Sequence, residues 1–218
     1  MVRIRVKHGR RQTGGADDGE ELEFLYDCGT SSSIGQITKD ITEIANFQLQ
    51  IQQLSLQLLP RLSPLLHHHH PSSQVIGLHR ALSEATSYAS KEQVLHGKIL
   101  SSIVLREHKR SIESEFAVNY KLLDFPEANL EPLLSDLELL HEDTVQLSWA
   151  GKVFVKGKLL RDYIGKNEKT KILLKLQAPV SHPACKSSTD EMDLPNELGP
   201  WILRLNYLKY QRHSPLNE

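Results

Sequence analysis

Residues 146–177, QLSWAGKVFVKGKLLRDYIGKNEKTKILLKLQ, constrain the fold more than any other stretch. Their apolar period is two, not the 3.6 of a helix. Leu147 and Trp149 share one face, and Ala150-Gly151-Lys152 makes a tight turn. Val153 to Val155 reads as a brief strand, Gly157 as a second turn, and Leu159, Leu160 and Tyr163 as one short helical turn. After a polar turn at Gly165 to Thr170, Lys171 to Leu176 forms a last strand. Ile172, Leu174 and Leu176 face one way, and Leu173 faces the other with Lys171 and Lys175. A two-stranded hairpin is marginal alone, and the last strand would leave its backbone groups unpaired. These residues therefore need further strands from elsewhere in the chain.

The chain start supplies candidates. Val2, Ile4 and Val6 alternate with Arg3, Arg5 and Lys7, the pattern of a half-buried strand. His8 to Glu21, with Gly9, Gly14, Gly15 and Gly19, reads as a mobile loop. Leu22 to Tyr26 returns as a second strand. Thr30 to Ser33 offers hydroxyl caps for a helix in which Ile34, Ile37, Ile41 and Ile44 form one stripe. The stripe runs on through Ile51, Leu54 and Leu58, so the helix extends toward Pro60. Phe47, Leu49 and Ile51 also alternate, which leaves a short strand there as an alternative. Pro60 and Pro64 are expected to end regular structure.

The middle is helical in character. Val75, Leu78, Leu82, Ala85 and Ala89 form a stripe within Val75 to Tyr88. Glu92 to Tyr120 carries a less regular one: Val94, Ile99, Ile103, Arg106 and Arg110. In the acidic, leucine-rich segment Leu122 to Leu140, Leu133, Leu137 and Leu140 are expected on one helical face. The run His67 to His70 before Pro71 lacks the spaced ligands of a built metal site and reads as an exposed loop. From Ala178 the chain is broken by Pro179, Pro183, Pro195, Pro200 and Pro215. Within this tail, Trp201 to Tyr210 is either a docking piece or an exposed patch.

Composition narrows the function class. Lys and Arg total 26 and Asp and Glu 27, so there is no general field for nucleic acid or an anionic membrane. The greasiest region, Leu54 to Leu66, is interrupted by Gln57, Pro60, Arg61, Ser63 and Pro64. It falls short of the roughly 20 apolar residues that span a bilayer. Cys28 and Cys185 make no disulfide framework and read as reduced thiols of a soluble intracellular chain. No nucleotide-binding glycine loop, HExxH or close cysteine pair occurs. His79, His96 and His108 read as surface or boundary residues, and Cys28 as a small apolar residue. The expectation is a chain with no enzymatic activity, cofactor or metal, and with the oligomeric state open.

The best surface candidate is the group Lys166, Asn167, Glu168, Lys169, Lys171 and Lys175. Lys166 and Lys169 flank Glu168 on a polar loop, and Lys171 and Lys175 occupy the strand face opposite the apolar one. The bland reading is a solvated sheet face and a turn. The functional reading is a docking surface for an acidic protein partner, with lysines as flexible point charges. If the first and last strands pair, Arg3, Arg5 and Lys7 are expected to line the same side.

The order hairpin, helix, strands resembles ubiquitin, and so does the run of strand, AGK turn, Gly157 and Leu160, Asp162-Tyr163 and final strand. That resemblance implies an α+β fold, a split ubiquitin-like β-grasp. Residues 1–59 and 142–177 would be its halves, 60–141 a loop and helical insertion, and 178–218 an irregular, partly disordered tail. It does not imply a conjugated modifier, because Leu176-Gln177-Ala178-Pro179 continues past the last strand. Ser148 stands where ubiquitin carries its hydrophobic recognition patch, and Trp149 is assigned to the core. More specifically, Leu160 to Gln177, with GKNEKT on its loop, resembles the signature of the cilia- and flagella-associated protein 298 (Kurly) family. The approach Glu142 to Lys152 and the opening residues resemble the family too, in two blocks totalling under half of the chain. The middle lacks the family's GAVMI.YPMGLP block, and the tail its aspartate-rich terminus. The resemblance implies a divergent or partial member, a non-catalytic adaptor or assembly factor in motile cilium function. Its implied role is axonemal dynein arm assembly, with dynein assembly factors as partners and a place in the cytoplasm, at the basal body or in the cilium. The alternative is a ubiquitin-like interaction module in another cytoplasmic pathway.

Overall fold

The computed structural model describes residues 1–9, 21–67 and 72–177. Most of the loop expected over His8 to Glu21, the histidine run from His68 with Pro71, Cys185 and the whole tail from Ala178 lie outside them.

Strand β1 (Val2–Gly9) pairs antiparallel with β2 (Glu21–Cys28), with Ile4 opposite Tyr26 and Val6 opposite Phe24. Both strands run longer than their apolar alternation indicates. His8, assigned to the loop on polarity, is buried in the ladder because it finds a polar partner inside, as described below. Three further strands follow near the end of the described chain: β3 (Gln146–Trp149), β4 (Lys152–Val153) and β5 (Lys171–Gln177). The sheet order is β2-β1-β5-β3-β4. β5 lies parallel to β1, with Ile4 beside Ile172 and Val6 beside Leu174, and antiparallel to β3. The two sequence blocks thus share one mixed sheet. The turn between β3 and β4 places Ala150 at φ 47° and Gly151 at φ 80°, the left-handed pair of a two-residue hairpin.

Helix α1 (Ile34–Leu66) covers one face of the sheet. Ile34, Ile37, Ile41 and Ile44 are buried as their spacing predicts, and Ser33 Oγ accepts from Gln36 N at 3.2 Å. The alternative strand near Phe47 does not form. Nor do Pro60 and Pro64 end the helix. Proline removes one helical hydrogen bond and crowds the carbonyl four residues back. Both prolines are exposed, as are Leu56 and Pro60, the residues whose carbonyls lose their donors, so water can take those acceptors. Tertiary packing holds the last turns: Leu58 and Leu62 are buried, Gln57 Nε2 donates to Leu133 O at 3.1 Å, and the Arg61 guanidinium lies 4.4 Å from the Phe125 ring centre.

With 33 residues, α1 is about 50 Å long and serves two layers. Its first half packs against the sheet. Its second half packs with α2 (Ser73–Ala89) and α4 (Ser102–Asn119), and one apolar cluster runs from Ile4 and Leu174 through Ile41 and Leu54 to Leu82 and Phe116. The expected continuous helix over Glu92 to Tyr120 is instead broken. Short α3 (Glu92–Leu95) ends near Gly97 at φ 66°, Leu100 N donates to Leu25 O at 3.0 Å, and α4 then begins. The buried stripe of α4 is Leu105, Ile112 and Phe116, and Ile103, Arg106 and Arg110 face outward. The expected helix over Leu133 to Leu140 shrinks to α5 (Glu131–Leu134), with Pro132 in its first turn. Leu133 and Leu137 are buried, and Leu140 is half-buried and held through its backbone by Asn46.

Candidate functional site

The site forms where the loop before β5 meets the turn before α1. Gly165 opens that loop at φ 79°, ψ −168°, a conformation reserved for glycine. Asn167 shapes its middle. Its Oδ1 accepts from Lys169 N at 3.0 Å, and its carbonyl accepts from Thr170 Oγ1 at 2.8 Å. Thr170 O in turn accepts from Arg3 N at 3.1 Å, docking the loop on β1.

Glu168 is the clasp. Its Oε1 accepts from Thr30 N at 2.9 Å and from Thr30 Oγ1 at 2.8 Å, and its Oε2 lies 3.0 Å from the Met1 amine. The Thr30 amide, then the Thr30 hydroxyl and the Met1 amine, hold the carboxyl down to about 2. The short α6 (Arg161–Ile164) and the residues before it extend the same seam. Ile34 N donates to Lys158 O, Gly35 N to Lys156 O, Leu160 N to Ser32 O and Arg161 N to Thr30 O, at 2.8 to 3.1 Å. Carbonyls from this second block thus satisfy two free amides of the α1 N-terminus. Asp162 Oδ2 accepts from Leu159 N at 2.9 Å and Tyr163 Oη from Val155 N at 2.8 Å, closing the polar turn.

The six sequence-derived site residues therefore divide by role. Asn167 and Glu168 build and fasten the loop. Lys166, Lys169 and Lys171 are exposed, and no side-chain partner engages them among the described residues. Lys175 is exposed and close enough to Glu21 to help lower its pKa, an effect led by the Lys7 hydrogen bond.

Arg3, Arg5 and Lys7 line the same outer face, as the β1–β5 register requires: Arg3 beside Lys171, Arg5 beside Leu173, Lys7 beside Lys175. Their charges are matched by acids on β2. Arg3 donates to both Asp27 oxygens at 3.2 Å, Arg5 to Glu23 at 2.7 and 2.8 Å, and Lys7 to Glu21 at 2.7 Å. The face is thus neutral along β1–β2 and basic along β5 and its preceding loop. Leu173 and Val153 stand exposed on it, and Ser148 sits half-buried between Lys175 and Val153. Trp149 is half-buried against the edge of the core.

Sequence reasoning missed Thr30, the fastening role of Glu168 and the three neutralising acids. The acids had a signal: with strands in antiparallel register, Asp27 and Glu23 fall directly opposite Arg3 and Lys7. Thr30 had none, since it lies 138 residues from Glu168.

Two other reactive side chains, Cys28 and His8, are occupied structurally. Burial, then the charges of Asp27, Glu168 and Asp40, pushes the Cys28 thiol up to about 11, which leaves little thiolate. His8 is buried with Nε2 2.8 Å from Gln48 Oε1, while Gln48 Nε2 donates to Ala89 O at 2.8 Å. Burial lowers the His8 pKa despite that hydrogen bond. Among the described residues there is no catalytic constellation and no group of three or more His, Cys, Asp or Glu placed to hold a metal. No helix among them is long and apolar enough to cross a membrane.

Comparison with known proteins adds family context. The sequence pattern of the cilia- and flagella-associated protein 298 family matches residues 145–194, which contain β3 to β5 and the clasp loop. Cilia- and flagella-associated protein 298 of Danio rerio is 24% identical over 242 residues, covering 84% of this chain and 80% of the relative. The Mus musculus protein of that name is 30% identical over 125 residues, covering 50% of this chain and 43% of the relative. The Homo sapiens protein is 29% identical over 125 residues, with the same shares. The matched part thus spans less than half the length of the mouse and human relatives. No solved structure matches the chain at a significant level. Across these species the chain matches the cilia- and flagella-associated protein 298 family consistently and at low identity, as a divergent or partial relative.

Proposed function

We propose that this chain is a non-catalytic adaptor or assembly factor of motile cilia, acting in axonemal dynein arm assembly. In this reading it works in the cytoplasm, at the basal body or in the cilium. Lys166, Lys169, Lys171 and Lys175 dock an acidic surface of a protein partner. The observation that carries the proposal is the division of labour in the clasp loop. Gly165, Asn167, Glu168 and Thr170 spend their polar groups or backbone freedom inside the fold, whereas the Lys166 and Lys169 side chains are exposed and find no partner among the described residues. Side-chain ordering opposes binding, and a fixed loop reduces that cost. The strand order, the parallel β1–β5 pair and the Ala150-Gly151 turn support reading the sheet and the first half of α1 as a ubiquitin-like β-grasp.

Pull-down from ciliated cells tests the docking surface. Wild-type chain is expected to recover dynein assembly factors, and a Lys166→Glu, Lys169→Glu, Lys171→Glu variant is expected to lose them. Equal recovery would remove the docking surface from the proposal. Shift mapping with a ubiquitin receptor tests the alternative interaction module. Half-buried Ser148 offers no large apolar contact, so no shifts are expected along β3 and β5.

A further inference from the structure

We propose that His8 is an acid-sensitive latch: protonating its ring releases the last turn of α2 from the far end of β1, while the β1–β5 ladder stays closed. The latch works whether or not the clasp-loop lysines dock a partner.

The hydrogen bonds fix which ring nitrogen holds the proton. Gln48 Nε2 donates to Ala89 O at 2.8 Å, and a carbonyl can only accept, so Gln48 Oε1 is the atom turned to His8 Nε2, 2.8 Å away. Nε2 therefore carries the proton, and Nδ1 a bare lone pair. Nδ1 is buried and has no partner among the described residues. A second proton would have to land there, and the N–H so made would find no acceptor. His8 is 3% exposed and Gln48 fully buried, and the Phe24 ring stands edge-on to the imidazole at 5.8 Å. An imidazolium here would be shut away from bulk water in apolar surroundings.

The charged side chains on the elements around it face elsewhere. Lys7 pairs with Glu21 and Arg5 with Glu23 on the outer face of the sheet. On α1, Asp40 accepts from Tyr26 and Gln36, and Glu43 pairs with Arg106. Lys91 and Glu92 beyond α2 are exposed, as are Asp136, Glu138 and His141 around Leu137. The negative end of α2 meets the ring only through the Gln48 amide. Burial accordingly lowers the His8 pKa from its ordinary 6.5, with the Gln48 bond opposing.

What opens is set by where the latch sits. β5 pairs with β1 only from Arg3 to Lys7, so His8 lies just past that ladder. Its partner across β1–β2 is Leu22, which packs with Leu49 and Leu137 in a small cluster apart from the main core. The relay from His8 through Gln48 to Ala89 ties β1, α1 and the last turn of α2 together at this corner. Opening the corner gives Nδ1 to water. Above pH 6.5 the open form gains no proton by this. Below it, the open form takes up a proton that the closed form refuses, so closure weakens as pH falls from 6.5 toward the lowered value.

Amide hydrogen exchange on the full chain, followed from neutral pH downward together with the nitrogen-15 shifts of the His8 ring, tests this. Protection factors at Ser87 to Ser90 are expected to fall below pH 6.5 by up to about tenfold per pH unit, the limit for one proton, and those at Ile172 and Leu174 to hold. The His8 ring is expected to carry its proton on Nε2 and to remain neutral below 6.5. His8→Gln keeps a donor toward Gln48 without a titrating ring and is expected to flatten the pH dependence at Ser87 to Ser90. Should that variant lose its fold by circular dichroism, the wild-type chain still decides, because ring protonation and loss of protection must run together. A proton on Nδ1, a ring that titrates at or above 6.5, protection indifferent to pH, equal losses in β5, or a pH dependence kept in His8→Gln would each overturn the proposal.

Discussion

Glu168 shows how one side chain can carry a polar loop. Its carboxylate is held near 2 against an ordinary value of 4.5, so its bonds to Thr30 stabilise the fold above about pH 4.5 and are lost as pH falls toward 2. Glu168→Gln is therefore expected to lower the melting temperature at pH 7. The gap to wild type should shrink between pH 4.5 and 2 in a series of thermal scans. A gap that is constant with pH would mean that the charge is not what fastens the loop. Ala150 offers the opposite case. Its φ of 47° is strained for any residue with a Cβ, and the left-handed region costs roughly 1 kcal/mol. Ala150→Gly is expected to stabilise the chain by about 0.5–1 kcal/mol in denaturant titrations, despite the added freedom of the unfolded chain. The alanine was legible in sequence as a turn residue, but its strain was not, because strain belongs to the backbone angles. The lysines were legible as a basic group. Which of them stay unpaired depends on acids brought alongside by strand register.

At the scale of elements, legibility followed periodicity. Strands that alternate cleanly, Val2 to Val6 and Ile172 to Leu176, lie where the pattern put them, as does the isoleucine stripe of α1. Elsewhere the pattern misled. In the expected stripe of the α3–α4 region, Ile99 and Ile103 are apolar yet exposed and Val94 is only half-buried, because Gly97 and the bond from Leu100 N to Leu25 O break the helix and reset its phase. Prolines 60 and 64 were read as stops, and contacts from α5 and Phe125 override them. An interior proline costs a helix about 3 kcal/mol relative to alanine. Pro60→Ala is thus expected to stabilise α1, by roughly 1–3 kcal/mol after the unfolded chain regains freedom. Chemical denaturation measures it. A loss of stability would show that the proline geometry is required there.

At the largest scale, among the described residues, the main cluster of buried side chains joins sheet and helical layer through α1. Damage in the sheet is therefore expected to spread. Leu174→Ala removes a fully buried side chain from β5, beside Val6, and should cost about 2–5 kcal/mol. Hydrogen exchange should show β1 amides losing protection together with those of β5. Loss confined to β5 would contradict a shared cooperative unit.

The parallel pairing of β1 with β5 also has a consequence in time. Ile4 meets Ile172 only after the 167 residues between them have been made. At bacterial to eukaryotic synthesis rates of about 5–20 residues per second, β1 waits roughly 10–30 seconds on the ribosome with one edge unpaired. Alternating Val2, Ile4 and Val6 remain a template for foreign strands over that interval, with β2 shielding the opposite edge. Birth, more than maturity, is when this chain most needs a holding partner.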